Sequence, residues 1–215
     1  MNTTISIVPH APPELRRYMI LREISDALDT ASDDAMSLEA IIATTRISAR
    51  DVVREFGDAS GLVSTLAEML ALSILGPLDI CTTQASFLAQ LQAFGRRVVD
   101  GHSAVRLRRL FRVALAEAAR DIDVGRTFYG CGPSLVVAGL ARFFKAAHYA
   151  GLVPAEDSHG LADHFMACLG ANQDSCDARH HHGSNGLHDG IDVDAAVGMF
   201  WAGIQMDPED ALAVV

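Results

Sequence analysis

The chain has 215 residues, half of them apolar, few aromatic, with 17 basic against 27 acidic residues and a formal net charge of −10. That length supports a substantial core in one domain or two, and an Ala- and Leu-rich composition favours helices over strands. The acidic surplus is a disadvantage for holding nucleic acid, where the local face decides, and no apolar run approaches the ~18 residues of a membrane-spanning helix. No apolar stretch behind a basic start marks a leader. The four cysteines, Cys81, Cys131, Cys168 and Cys176, form no CxxC pair, so reduced thiols in a cytoplasmic protein are expected. Sixteen of the 17 basic residues are Arg, the better phosphate and guanine ligand, and Lys145 is the only Lys.

Residues 1–12 read as a flexible arm. Pro12-Pro13 opens a helix to about Thr30, with Leu15, Met19, Ile20, Ile24, Ala27, Leu28 and Ala31 inward. Asp33-Asp34 mark a loop. From Ser37 to Phe56 the pattern reads as two short helices across a tight turn. Leu38, Ile41 and Ile42 line the first; Ile47, Val52 and Phe56 pack the second. Ser48 has the N-cap residue type, with Asp51 three residues on. This is a helix-turn-helix plan. Gly57-Asp58 closes it, Ser60 is expected to cap a helix over 61–75, and Gly76-Pro77 stops that helix.

Amphipathic helices follow. Residues 84–100 carry Phe87, Leu91, Phe94 and Val98 on one stripe. Residues 103–120 point Leu107, Leu110, Phe111, Ala114, Leu115 and Ala118 inward, with Arg106, Arg108, Arg109 and Arg112 outward. Residues 133–150 begin at a proline and align Val136, Leu140, Phe143, Phe144 and Ala147, with Gly151 as the stop. Residues 158–170 form another helix, and a last one spans 193–205 with Val197, Phe200, Trp201 and Ile204. Between them, 173–192 is a polar loop rich in Gly and His. No alternating strand pattern occurs, so the expected class is all-α.

Several segments resemble the TetR family of bacterial repressors. Ser37, Ile41, Ile47, Ser48, Val52 and Phe56 fall at that family's helix-turn-helix spacing, and Leu62 matches the leucine that opens its connecting helix. The segments RLFRVALAEAARD (109–121), FYGCGP (128–133), AAHYAGLV (146–153) and AAVGMFWAG (195–203) are similar, in order, to an AefR-like C-terminal domain. The resemblance implies a three-helix helix-turn-helix module followed by a helical ligand-binding and dimerisation bundle: an arm over 1–12, a DNA-binding module over 13–60, and the bundle over 61–215. It implies a ligand-responsive regulator, in all expectation a repressor, that binds operator DNA as a homodimer. Arg46, Ser48, Ala49, Arg50, Asp51, Val53 and Arg54 would form the DNA face. Phe87, Leu91, Phe94, Leu110, Phe111, Ala114, Phe128, Cys131, Leu140, Phe144 and His148 would line a chamber for a hydrophobic ligand. Phe165, Met166, Leu169, Phe200 and Trp201, on the last two helices, would meet a second copy.

The polar positions depart from that pattern. Arg46 stands where the family has Gly in the turn; Ala49 replaces a basic residue, Asp51 a Thr, Val53 an aromatic and Ala59 a Lys, while Glu55 adds a second carboxylate. Residues 1–77 hold six Arg and eleven acids, net −5, a handicap for binding a polyanion. Arg46, Arg50 and Arg54 recur every four residues as one basic edge, and Asp51 is placed to neutralise Arg54. An alternative therefore stands: a TetR fold without operator binding, serving as a ligand-binding protein or as an enzyme using His148 and His164. No nucleophile elbow, phosphate loop or Cys-His pair favours catalysis, and no cofactor is expected. Cys176, His180, His182 and His188 are weak metal candidates, since their spacing matches no zinc-finger pattern.

Overall fold

The computed structural model describes residues 12–30, 37–99, 101–154, 157–170 and 192–205. The arm (but for Pro12), Ala31, the Asp33-Asp34 loop, almost all of the 173–192 loop and the four metal candidates lie outside the described residues. Those described form ten helices and no strand: α1 (Pro13–Thr30), α2 (Leu38–Thr44), α3 (Ala49–Phe56), α4 (Ala59–Leu75), α5 (Gln84–Val99), α6 (His102–Ala118), α7 (Ile122–Cys131), α8 (Pro133–Tyr149), α9 (Ser158–Cys168) and α10 (Val193–Gln205). The all-α expectation holds, and α1 to α3 form the three-helix module.

Contacts divide the chain into two compact units, one of Met1–Leu72 with Val105–Leu135, the other of Ser73–Ala104 with Val136–Val215. The divisions fall inside α4, α6 and α8.

In the first unit α1 packs on both α2 and α3. Its buried face is Ile20, Leu21, Ile24, Ser25 and Leu28, against Leu38 and Ile41 from α2 and Val52 and Phe56 from α3 among the unit's buried residues. Leu15 and Met19, expected inward, are exposed; Leu21 is buried instead, because the stripe is rotated on the helix. Asp58, not Ser60, serves the start of α4: its Oδ1 accepts from the Gly61 amide at 2.8 Å. On α6 the buried set is Ala104, Leu107, Leu110, Val113 and Ala114, leaving Phe111 and Leu115 exposed. The expected face was turned by one position toward Phe111 and missed Val113. Helix α7, which periodicity did not mark, starts at an Asp121 cap and buries Val124 and Phe128.

The second unit is an aromatic core. Phe87 stacks on Phe143 at 5.3 Å, and Phe144 lies 5.4 Å from Phe200 and 6.4 Å from Phe165. Helix α10 packs on both α5 and α9. Gly95 makes this approach possible, since a Cβ there would stand 2.6 Å from Val193 Cγ1 and 3.3 Å from a Leu169 methyl. Full burial of each phenyl ring contributes about 1.5–3 kcal/mol by apolar transfer alone.

Candidate nucleic-acid interface

Helix α2 begins at Ser37, whose hydroxyl accepts from the Ala40 amide at 3.1 Å. It ends in a turn built by Thr45: the hydroxyl donates to the Ile42 carbonyl at 2.7 Å and accepts from the Ile47 amide at 3.1 Å. The next amide, of Arg46, donates to Glu23 Oε1 of α1 at 2.7 Å. No non-glycine residue among those described has a positive φ, so Arg46 fills the family's glycine position without left-handed strain.

Helix α3 starts with a reciprocal cap. The Ser48 hydroxyl accepts from the Asp51 amide at 3.1 Å while Asp51 Oδ2 accepts from the Ser48 amide at 3.3 Å. Ser48 and Asp51 thus bear out the capping expected of them. The Ser48 hydroxyl bond is the main cause that holds the Asp51 carboxyl below its ordinary range; partial burial opposes it, and Arg54 adds to the lowering. The helix ends at Gly57, whose amide donates to the Val53 carbonyl at 2.9 Å from a φ of 83°, a conformation that favours glycine.

Three arginines lie along this head, in different states. Arg46 and Arg50 are exposed and have no ion pair among the described residues. Arg54 is held: its Nη2 meets Asp51 Oδ1 at 2.7 Å and its Nε meets Glu55 Oε1 at 3.1 Å. Ala49 and Val53 are exposed beside them. Neutralisation of Arg54 by Asp51, expected from their spacing, is therefore found.

Glu55 corrects the sequence reading. Expected as a second carboxylate of the reading head, it is only 8% exposed and faces α1. Its Oε1 accepts from Arg16 Nε at 3.0 Å, its backbone carbonyl accepts from Arg17 Nε at 2.8 Å, and the Arg17 guanidinium sits 5.5 Å from the Phe56 ring. Burial pushes the Glu55 carboxyl up, yet the bonds from Arg54 and Arg16 outweigh it, and the group ends below its ordinary 4.5. Glu55 pins α3 to α1 and adds little negative charge to the outer face. Its position within α3 gives no signal of this, because the partner Arg16 stands on another helix.

At the other end of α1, Arg106 of α6 donates from Nε to Asp29 at 3.0 Å, from Nη2 to Asp26 Oδ1 at 2.9 Å and from Nη1 to the buried Ser25 hydroxyl at 3.0 Å. Glu117, near the end of α6, accepts from the Leu38 amide at 3.3 Å. Arg106, assigned to solvent from periodicity, is thus half-buried in contacts with α1.

The residues assigned to the ligand chamber fall in both units: Leu110, Phe111, Ala114, Phe128 and Cys131 in the first, Phe87, Leu91, Phe94, Leu140, Phe144 and His148 in the second. Most are fully buried; Phe111 is 45% exposed, and Cys131 and His148 are half-buried. Of the residues assigned to a partner copy, Phe165, Leu169 and Phe200 are buried within their own unit, while Met166 and Trp201 remain partly exposed and Trp201 lies 5.5 Å from the Phe87 ring. His148 Nδ1 sits 2.9 Å from the Val153 carbonyl, which fixes the turn after α8. His164 is exposed against Phe200 at 5.9 Å. No single helix among the described residues is long and apolar enough to cross a membrane.

Comparison with known proteins agrees with this architecture. Residues 89–202 match the C-terminal domain of AefR-like transcriptional repressors. No curated protein matches the chain in sequence. Among solved structures, a protein of Mesorhizobium loti assigned to the TetR family of transcriptional regulators is similar with a TM-score of 0.60 and 21% identity, covering 90% of this chain and 98% of that one. The flavonoid-responsive regulator FrrA gives a TM-score of 0.56 at 18% identity, covering 88% and 97%. Salmonella enterica GusR gives 0.53 at 18%, covering 91% and 97%. A capped helix pair on a three-helix module, ahead of helices that match this C-terminal domain, makes the chain a member of the TetR family of transcriptional regulators, with an AefR-like C-terminal domain.

Proposed function

We propose that the protein is a ligand-responsive repressor that binds operator DNA as a homodimer. The observation that carries this reading is the state of Arg46 and Arg50, exposed and without an ion pair among the described residues, in the turn before α3 and in its first turn. A good bidentate arginine–guanine contact discriminates by roughly 1–3 kcal/mol. The burial of Glu55 against α1 reduces the acidity that the head presents to phosphate. Residues 13–60 would read DNA, and 61–215 would take ligand and partner.

Exposed Met199 and partly exposed Met166 and Trp201 on α9 and α10 support a second copy docking there. The apolar bundle supports a hydrophobic or amphipathic effector, acting by shifting the population of spacings between two reading heads. The setting would be the cytoplasm.

Anisotropy titration against the DNA flanking the protein's own gene tests the reading. Specific binding is expected, weakened roughly tenfold or more by Arg50→Ala. Absence of specific binding at low salt, with no effect of Arg50→Ala, would overturn it. Trp201, the single tryptophan, reports the effector arm through its fluorescence. Flavonoids, to which the regulator FrrA responds, form a first panel.

A further inference from the structure

Arg54 is the third arginine of the basic edge and, among the described residues, the only one of the three held by carboxylates. Its side chain is 55% exposed, so DNA can reach it, yet its positive charge already faces Asp51 and Glu55. Neither acid is free to leave. Asp51 Oδ2 is fixed by the Ser48 amide and hydroxyl, the latter at 2.5 Å, and Glu55 is buried against Arg16. A phosphate approaching Arg54 would therefore meet an anchored carboxylate beside it. Displacing the Arg54 contact does not remove that negative charge, because the cap holds it in place.

We propose that Arg54 is a masked DNA ligand and that Asp51 is a specificity-determining residue, which suppresses sequence-independent binding by keeping that arginine out of the phosphate-neutralising set. Resting on the operator-binding reading above, this assigns discrimination to a repulsive element as well as to Arg50. Bulk DNA, offering phosphates alone, then gains nothing from Arg54. The head engages bulk DNA with two arginines of its three-residue edge, Arg46 and Arg50.

The salt dependence of binding to a non-operator duplex tests it, using the full-length protein, Arg54→Ala, Asp51→Asn and the double variant. Each phosphate neutralised contributes about 0.9 to the slope of log K against log salt. Arg54→Ala alone should leave the slope at the wild-type value, with affinity lowered only by the Asp51 charge that then faces the duplex uncompensated. Asp51→Asn, which leaves the Glu55 contact with Arg54 in place, should steepen the slope by up to about 0.9 and tighten binding, and the double variant should return to the wild-type slope. The amide oxygen introduced by Asp51→Asn still accepts from Ser48, and far-UV circular dichroism checks that α3 persists. Should that variant misfold, Arg54→Ala decides alone: a slope reduced by one contact means that Arg54 is already engaged and overturns the proposal. An unchanged slope and affinity in folded Asp51→Asn does the same. If wild type binds the duplex while either result appears, only the masking fails; if none of the four proteins binds any duplex at low salt, operator binding fails with it.

Discussion

In the unit that carries α1 to α3, an aliphatic core is reinforced by guanidinium groups: Arg16 and Arg17 on Glu55, and Arg106 on Asp26, Asp29 and Ser25. In the unit that carries α5, α9 and α10, helices are joined chiefly by rings, with Phe87, Phe143, Phe144, Phe165 and Phe200 in contact, beside an exposed ion pair of Arg96 with Asp194 at 2.7 Å. The difference separates two kinds of rigidity. An aromatic core resists loss of volume and is indifferent to pH, whereas ion-pair junctions break one at a time and respond to protons and salt.

The sharpest way to break the comparison is to remove one ring. Phe144→Ala, at a fully buried site touching Phe200 and Phe165, should cost about 3–5 kcal/mol, read as a lower midpoint in urea unfolding. Arg106→Ala comes next. It removes hydrogen bonds to two aspartates and leaves the buried Ser25 hydroxyl without that donor. About 1–3 kcal/mol is expected, reduced by screening because the arginine side chain is 22% exposed, and the loss should shrink in high salt. Hydrogen exchange should show it at the C-terminal half of α1 before it appears in α5 or α10. Ser37→Ala, which deletes the α2 cap, should cost about 1 kcal/mol by the same unfolding measurement.

The smallest effect is the response to acid. Glu55 is held below its ordinary 4.5 and Asp51 below 3.8 in the folded chain. Their contribution is therefore complete above those ordinary values, and it is lost as pH falls from about there through the lower native values. Protection of α3 should decline in that window while the aromatic unit's does not, and Glu55→Gln should flatten the decline. Equal loss in both units would erase the distinction.

Much of this was legible in residue order. The α8 stripe of Val136, Leu140, Phe143, Phe144 and Ala147 is buried as its spacing indicates, and the Ser48–Asp51 cap forms as its residue types require. What escaped were directions of charged groups. Glu55 and Arg106 look like surface residues by composition, yet each is turned inward by a partner more than 35 positions away, Arg16 and Asp29 respectively. Spacing within one helix carries no information about a partner on another. Helix α7 escaped for a different reason: a ten-residue helix with two buried apolar positions has too short a pattern to stand out from a loop. The ring contacts also explain why core and chamber wall could not be told apart, since both demand the same apolar periodicity.

Helix α1 carries Arg16 at one end and Asp29 at the other, about 20 Å apart at the rise of an α-helix. One tip grips α3 through Glu55; the other is gripped by Arg106 of α6. Mechanically this is a stiff connecting rod with a joint at each end. A displacement of α6 along the rod would be passed on to α3, because a helix is stiff along its axis. Because Glu55 attaches near the C-terminal end of α3, the first turn with Arg50 would trace the longer arc of any such movement.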